Sequence, residues 1–348
     1  MEKFSAFADH TTGINPFMPP QDAVQITTGR VLIGIPLALL RALPVLICSV
    51  LFIILNVLTI ATSCVPGVAW VMQSVILSST TRMLCVLLSC YNPQSITPRA
   101  SKVTLPLPKG SRLTAAQLAK ASNAAPSAGQ IIVAPSTSPL DVLVWTALHG
   151  ASFLCVQHGG SRLAHMSPLR ALLHACSTST PGADTPSSVA VAPNGVEQAV
   201  ASARRSNGGP VVLFAQGART NGKGVLQLAP VALAVARVLA DQSGEPVRVG
   251  TCTVSDHAVH TLGGGWSALV RCVLAPRTHA LVHLLPQVLT PQPSQYGQTK
   301  PAADEWAAAV RAGWCAVVRA IKPVNKSAAD AAEFLAAWER GAGKAKEL

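Results

Sequence analysis

Hydrophobic and polar positions divide the chain into two regimes. From Val31 to Ala61 the apolar residues run almost unbroken, interrupted chiefly by Pro36, Arg41 and Pro44. As one helix this stretch would be about 45 Å long, too long for one upright membrane span and too short for two. An arginine at the bilayer centre costs about 2.5–3.5 kcal/mol. The pattern therefore places a bend at Arg41–Pro44, with the guanidinium at the membrane interface. Val45–Ala61 then spans the bilayer or forms the second arm of a re-entrant hairpin; a pair of buried core helices is the alternative. Val65–Cys90 is also apolar, but Ser78-Ser79-Thr80-Thr81-Arg82 interrupts it. That break favours an amphipathic helix lying on the membrane over a second span.

Beyond residue 92 the pattern changes to short β-type runs alternating with helical periodicity. Strands are predicted at Ile131–Ala134, Phe153–Val156, Val211–Phe214, Val247–Thr253 and Ala280–Leu285. Helices are predicted at Pro139–Leu148, Pro168–Ala175, Gly195–Arg205 and Leu228–Ala240. This alternation predicts an α/β fold, a mixed and mostly parallel sheet flanked by helices. Near the C-terminus Trp306, Val310, Trp314, Val317 and Ile321 share one helical face, and Lys322-Pro323 stops that helix. Ser327 to Asp330 reads as a capping box opening a last helix, which carries Phe334, Leu335 and Trp338 and ends at Arg340-Gly341. Met1–Thr28 is polar, holds Pro16, Pro19 and Pro20, and reads as irregular rather than as a signal peptide. The resulting organisation is an irregular tail (1–30), membrane-attached helices (31–92), an α/β domain (93–290) and C-terminal amphipathic helices (291–348).

Composition sharpens the membrane reading. Of 348 residues, 49% are hydrophobic and only 12% charged, about half the usual charged share. The net charge is +12, and between Asp22 and Asp141 there is no acidic residue but eight cations. An anionic membrane surface, the phosphates of a ligand, or positive-inside topology alone would each account for this. Aromatic residues at 4%, with no RNA- or DNA-binding pattern, argue against a nucleic-acid partner. None of the nine cysteines forms a CxxC pair. They read as free, buried thiols facing a reducing compartment, with neither a zinc site nor a disulfide framework.

Candidate chemistry lies in two stretches. Val211–Leu226, VVLFAQGARTNGKGVL, is a strand entering a loop with Gly217, Gly222, Gly224, Arg219 and Lys223. Backbone N–H groups and guanidinium donors can converge on a phosphate in such a loop. Ile131–Asp141, IIVAPSTSPLD, is a second buried-type strand entering a polar turn. Together they resemble the blocks NHxxxxD and FPEGTR of the glycerophospholipid acyltransferase family (lysophosphatidate-acyltransferase-like). The resemblance extends from about Val31 to Val254 and keeps block order, spacing, Asp141, Gly217 and Arg219. Ser136 stands in place of the histidine and Gln216 in place of the glutamate.

The resemblance implies transfer of a fatty acyl group from acyl-CoA to a lysophospholipid, foremost lysophosphatidate. Acyl-CoA would be co-substrate and no other cofactor is implied. The setting would be the endoplasmic reticulum or a lipid droplet, with the domain facing the cytosol. Asp141 and Ser136 would belong to the catalytic block, and Arg219, Gly217, Gln216, Thr220 and Lys223 would surround the substrate phosphate. Ser136 cannot serve as the base, because its hydroxyl keeps its proton far above neutral pH. Three alternatives stand: Asp141 acts directly or through water, His158 at the end of the next strand substitutes, or the protein is an inactive lipid-binding adaptor. Asp141 also fits a purely local role, as the third helical residue of a capping box begun by Ser138. Asp256, His257 and His260 lack the further ligand a metal needs, and Gly263–Ser267 lacks the nucleophile-elbow pattern.

Overall fold

Four-residue runs of apolar, mostly β-branched side chains make the centre of the sheet. β2 (Ile131–Ala134) and β6 (Val211–Phe214) are buried at every position and pair in parallel, Ile131 opposite Val211 and Ala134 opposite Phe214. Such runs suit a sheet covered on both faces. The computed structural model describes residues 2–18, 28–62, 65–90, 93–96, 125–157, 162–177, 190–191, 195–206, 208–235, 247–254, 265–275, 278–289, 299–318 and 321–346.

The other strands are β1 (Gln94–Ile96), β3 (Ser152–Gln157), β4 (Arg162–Met166), β5 (Ala190–Val191), β8 (Val247–Val254) and β9 (Ala280–Leu289). Among the described residues they form one eight-stranded sheet, ordered β1-β9-β8-β2-β6-β3-β4-β5. Pairing is parallel from β8 through β2 and β6 to β3, and antiparallel at β8–β9 and β3–β4–β5. β7 (Gly224–Val225) and β10 (Lys322–Pro323) make a separate two-stranded pair. The helices are α1 (Thr28–Ala61), α2 (Pro66–Trp70), α3 (Ser78–Leu87), α4 (Pro139–His149), α5 (Pro168–Cys176), α6 (Gly195–Ser206), α7 (Gly265–Leu274), α8 (Thr299–Val317) and α9 (Ala328–Lys346). A π-helical stretch, Val71–Leu77, joins α2 to α3.

Alternation along the strands separates two cores. Ile132, Ala134, Val212 and Phe214 face α1, α3, α4, α5 and α7. Ile131, Val133, Val211 and Leu213 face α6, α8 and the segment around Val231–Val235. The C-terminal helix α8 is thus part of the α/β core, with Trp306, Val310 and Trp314 buried. Its Trp314 indole N–H donates to the carbonyls of Val133 and Gly250. α4 runs along β8 in step. Asp141 meets Cys252, Trp145 lies against Gly250, and His149 faces Arg248. Four helical residues rise about 6 Å and two strand residues about 6.6 Å, so the register holds over two turns.

The polar residues inside the apolar N-terminal helices have structural partners. Ser78 Oγ donates to the carbonyls of Thr146 and Ala147, Arg82 Nε to Ala147, and Gln73 Nε2 to Gly150. All these acceptors lie at the C-terminal end of α4, where the last carbonyls run out of intrahelical donors, although that of Thr146 also accepts from the capping Gly150 N–H. Ser89 and Arg41 serve α7 in the same way. Ser89 Oγ donates to Cys272 and Ala275, and the Arg41 guanidinium to Val273, Ala275 and the Ser89 hydroxyl. Charge near a helix C-terminus is further favoured by the macrodipole.

These contacts correct the expectations for the N-terminal region. α1 is assigned as one helix straight through Arg41–Pro44, and Arg41 is buried against the domain instead of lying at a headgroup interface. In the N-terminal segment only Glu2–Phe7 forms a 3-10 helix and residues 8–18 hold turns and bends, but the segment is packed: Phe4, Phe7 and Phe17 surround Phe334 of α9. The sequence pattern does not predict strands β1, β4, β5, β7 and β10, and α9 continues past Gly341 to Lys346.

α1 approaches α7 closely at Gly34, where an added Cβ would stand 2.7 Å from the Leu274 carbonyl oxygen; Gly67 in α2 has open space around it. Gly34→Ala is expected to lower stability by about 1–3 kcal/mol. Gly67→Ala should be neutral or raise it by up to about 1 kcal/mol through helix propensity. Denaturant unfolding of both variants in detergent checks the pair.

Candidate functional site

Parallel strands that neighbour one another release their chains at the same sheet edge. β2 and β6 therefore deliver loops 135–138 and 215–223 side by side. The loops are tied directly: Ala215 N–H donates to the Ala134 carbonyl and Thr220 N–H to the Ser136 carbonyl, both at 3.3 Å.

In the first loop Ser138 is the N-cap of α4, and its Oγ accepts from Leu140 N–H. Asp141 completes the capping box. Its Oδ2 accepts from Thr137 N–H at 2.7 Å, Ser138 N–H at 3.0 Å and the Thr137 hydroxyl at 3.0 Å. The local role expected for Asp141 is thus present, but it occupies one oxygen. Oδ1 is buried and has no geometric hydrogen bond, with the Cys252 thiol close enough to interact with the carboxylate. Burial pushes the Asp141 carboxyl up from 3.8 to about 6, against the opposing hydrogen bonds from Thr137 and Ser138. Desolvation of the charged form outweighs the cap. Ser136 is half-buried, and among the described residues its hydroxyl makes no hydrogen bond. His158 lies outside the described residues, as do Asp256, His257 and His260.

The second loop turns at Gly217, where φ is +72° and an added Cβ would meet Val156 Cγ1 at 2.9 Å. Only glycine suits both conditions. Gln216 is fully buried, and neither its Oε1 nor its Nε2 has a partner among the described residues. Arg219 is half-buried. Its guanidinium makes no hydrogen bond or ion pair with any described residue. Burial draws its pKa down from the usual arginine range, while Cys176 and Asp141 push it back up. It stays charged. The mutual effect with Asp141 is modest, since desolvation and the cap set the carboxyl's pKa.

Arg219 also faces the last turn of α5, where its charge adds to burial in lowering the pKa of His174. Burial raises the Cys176 thiol to about 11, and Arg219 opposes that rise. Neither residue was marked in the sequence, because their proximity to Arg219 comes from the β3–β4–α5 excursion and not from any local motif. Among the described residues no histidine influences the Asp141 carboxyl.

Thr220 is buried and turns its Oγ1 to Gly222 N–H, so its hydroxyl belongs to the loop. Lys223 is exposed. Asn221 clips the loop to the N-terminal segment. Its Nδ2 donates to the carbonyls of Asn15 and Met18, its backbone N–H to Pro16, and its Oδ1 accepts from Lys223 N–H. The NGKG wording signalled a turn, but not these partners two hundred residues upstream. No group of three or more His, Cys, Asp or Glu among the described residues is arranged to hold a metal.

A capping box does not need a charge, so Asp141 can be tested apart from its structural role. Its carboxyl binds protons more tightly folded, at about 6, than at its ordinary 3.8. This contribution is full below about pH 4 and is lost as pH rises through about 6. Asp141→Asn keeps an acceptor for the cap and removes the buried charge. It is expected to melt at or above wild type at pH 8, by at most about 3 kcal/mol. That advantage should vanish toward pH 4. A variant markedly less stable than wild type at pH 8 would show the carboxylate to be a net stabiliser.

Compared with protein-family models, with curated proteins and with solved structures, the chain matches none.

Proposed function

We propose that the protein is a membrane-bound acyltransferase that moves a fatty acyl group from acyl-CoA to a lysophospholipid, foremost lysophosphatidate. One observation carries this reading: a half-buried guanidinium with no hydrogen-bond or ion-pair partner among the described residues and a buried carboxylate that influences its pKa sit on loops that leave adjacent strands. A desolvated arginine with no counter-charge favours an anionic ligand, and its planar fork suits two phosphate oxygens.

In this mechanism Arg219 holds the lysophosphatidate phosphate and thereby places the glycerol hydroxyl near Asp141 Oδ1. The carboxylate takes the hydroxyl proton as the oxygen attacks the thioester carbonyl carbon. The carbon–sulfur bond breaks, CoA thiolate leaves, and the proton passes from Asp141 to the thiolate. A base with a pKa of about 6 is well matched to neutral pH. The three hydrogen bonds to Oδ2 hold the carboxylate in place, the task an aspartate performs for a histidine in the family's usual arrangement. α5 leads from the apolar helices to this site: Leu169 N–H donates to Asn56 Oδ1 of α1, Leu173 is exposed, and His174 and Cys176 flank Arg219. The described cysteines are all free, which suits a domain facing the cytosol from the endoplasmic reticulum or a lipid droplet.

A second reading has its own observation. Ser136 stands where the family has its base, and Asp141 Oδ2 is fully used by the cap. The same loops would then bind a lipid phosphate without chemistry, in a membrane adaptor.

Transfer of a labelled acyl group from acyl-CoA to lysophosphatidate by purified full-length protein separates the two. Activity is expected to rise with pH through about 6. Asp141→Asn should cut kcat by roughly 10²–10⁴-fold, and Arg219→Ala should raise KM for lysophosphatidate by roughly 10–100-fold. No transfer, with phosphatidate binding that Arg219→Ala abolishes, leaves the adaptor reading. No transfer and no Arg219-dependent binding removes both.

A further inference from the structure

The N-terminal helices are amphipathic the wrong way round for a protein surrounded by water. On α1 the residues turned toward the domain include Arg41 and Asn56, both buried, while Leu39, Leu43, Leu46, Ile47, Ile54 and Val57 are exposed. The α2–α3 segment repeats the arrangement. Ser78 and Thr81 are buried against the protein, Ser78 bonding the end of α4, while Val68, Val75, Ile76 and Met83 point outward; Arg82 is itself exposed but bends its Nε back to Ala147. Trp70 and Trp266 add two exposed indoles on α2 and α7, and tryptophan favours the headgroup boundary. A helix in water places its polar face outward; a lipid-facing surface reverses this.

Both α1 and the stretch from Gly67 to Leu87 are long and apolar enough to cross a membrane. The contacts of α1 argue against crossing. It touches the domain from Gly34, beside the Leu274 carbonyl, through Arg41 at Ala275, to Asn56, which accepts from Leu169 N–H. That is about 33 Å of helix held along its side, as much as the whole hydrocarbon core is thick. A helix fastened over this length to the flank of an α/β domain cannot stand upright in a bilayer without drawing the domain in.

The geometry points to a one-leaflet docking surface. α1 lies in the plane of the membrane with its outer face among the acyl chains, α2, α3 and α7 extend that face, and the partner is the lipid leaflet itself. This goes beyond the acyltransferase reading and does not depend on what Arg219 holds.

The test uses the full chain with a different epitope tag at each terminus, synthesised in the presence of sealed microsomes. In-plane docking is expected to survive a high-salt wash, because apolar insertion is not screened. Protease added outside should remove both tags. The variant Ile47→Lys/Ile54→Lys should reduce the bound fraction about tenfold or more. Both sites are exposed, so its melting in detergent should match wild type, which excludes misfolding as the cause. Protection of the N-terminal tag alone would mean that α1 crosses. Release by salt, or binding unchanged in the folded lysine variant, would mean that the outer face does not hold the leaflet. Any of these three outcomes overturns the inference, and none bears on acyl transfer.

Discussion

The parallel ladder between Ile131–Ala134 and Val211–Phe214 is the constraint from which the candidate site follows. Because both strands run the same way and end level, the polypeptide must turn out of the sheet twice at one edge. Two sequences some eighty residues apart thereby share a single space. Each then solves its own local problem. The first begins a helix, and does so with Ser138 and Asp141. The second makes a left-handed turn at Gly217 and carries Arg219. The loops need little else to stay in contact, since two main-chain bonds already join them.

Burial sets the electrostatics. Asp141 and Arg219 are drawn away from water with no ion-pair partner among the described residues, and each has its pKa moved toward the neutral form by desolvation. Direct pairing would have offset much of that cost. An arrangement that leaves two opposite charges desolvated and apart is stable only because the surrounding sheet and helices over-determine it. Gln216, buried in the loop after β6 with no amide partner among the described residues, belongs to the same pattern.

Much of the framework was legible from pattern alone. The central strands are short apolar runs whose identity depends on local composition, and their positions agree with the structure to within a residue or two. Ser138-Pro139-Leu140-Asp141 announced its helix start through side-chain chemistry that acts over three residues. Other features depend on contacts that no local window contains. Arg41 and Ser78–Arg82 looked like breaks in lipid-bound helices. Their purpose becomes visible only once the C-terminal ends of α4 and α7 lie beside them. Strand β4 alternates too weakly to stand out, and β1 is three exposed residues that need β9 as a template. His174 and Cys176 reach Arg219 only through the tertiary path of α5.

The separations in sequence have a consequence for biosynthesis. Arg41 finds its carbonyl on Ala275, and Asp9 accepts from Asn325 N–H, 234 and 316 residues later. The greasy helix therefore emerges from the ribosome long before the carbonyls of α7 that cover Arg41 exist. The aromatic clasp around Phe334 can close only after the last helix has been made. Folding governed by such distant closures is slow, and the Arg41 anchor on α7 and the clasp around Phe334 close only late in synthesis.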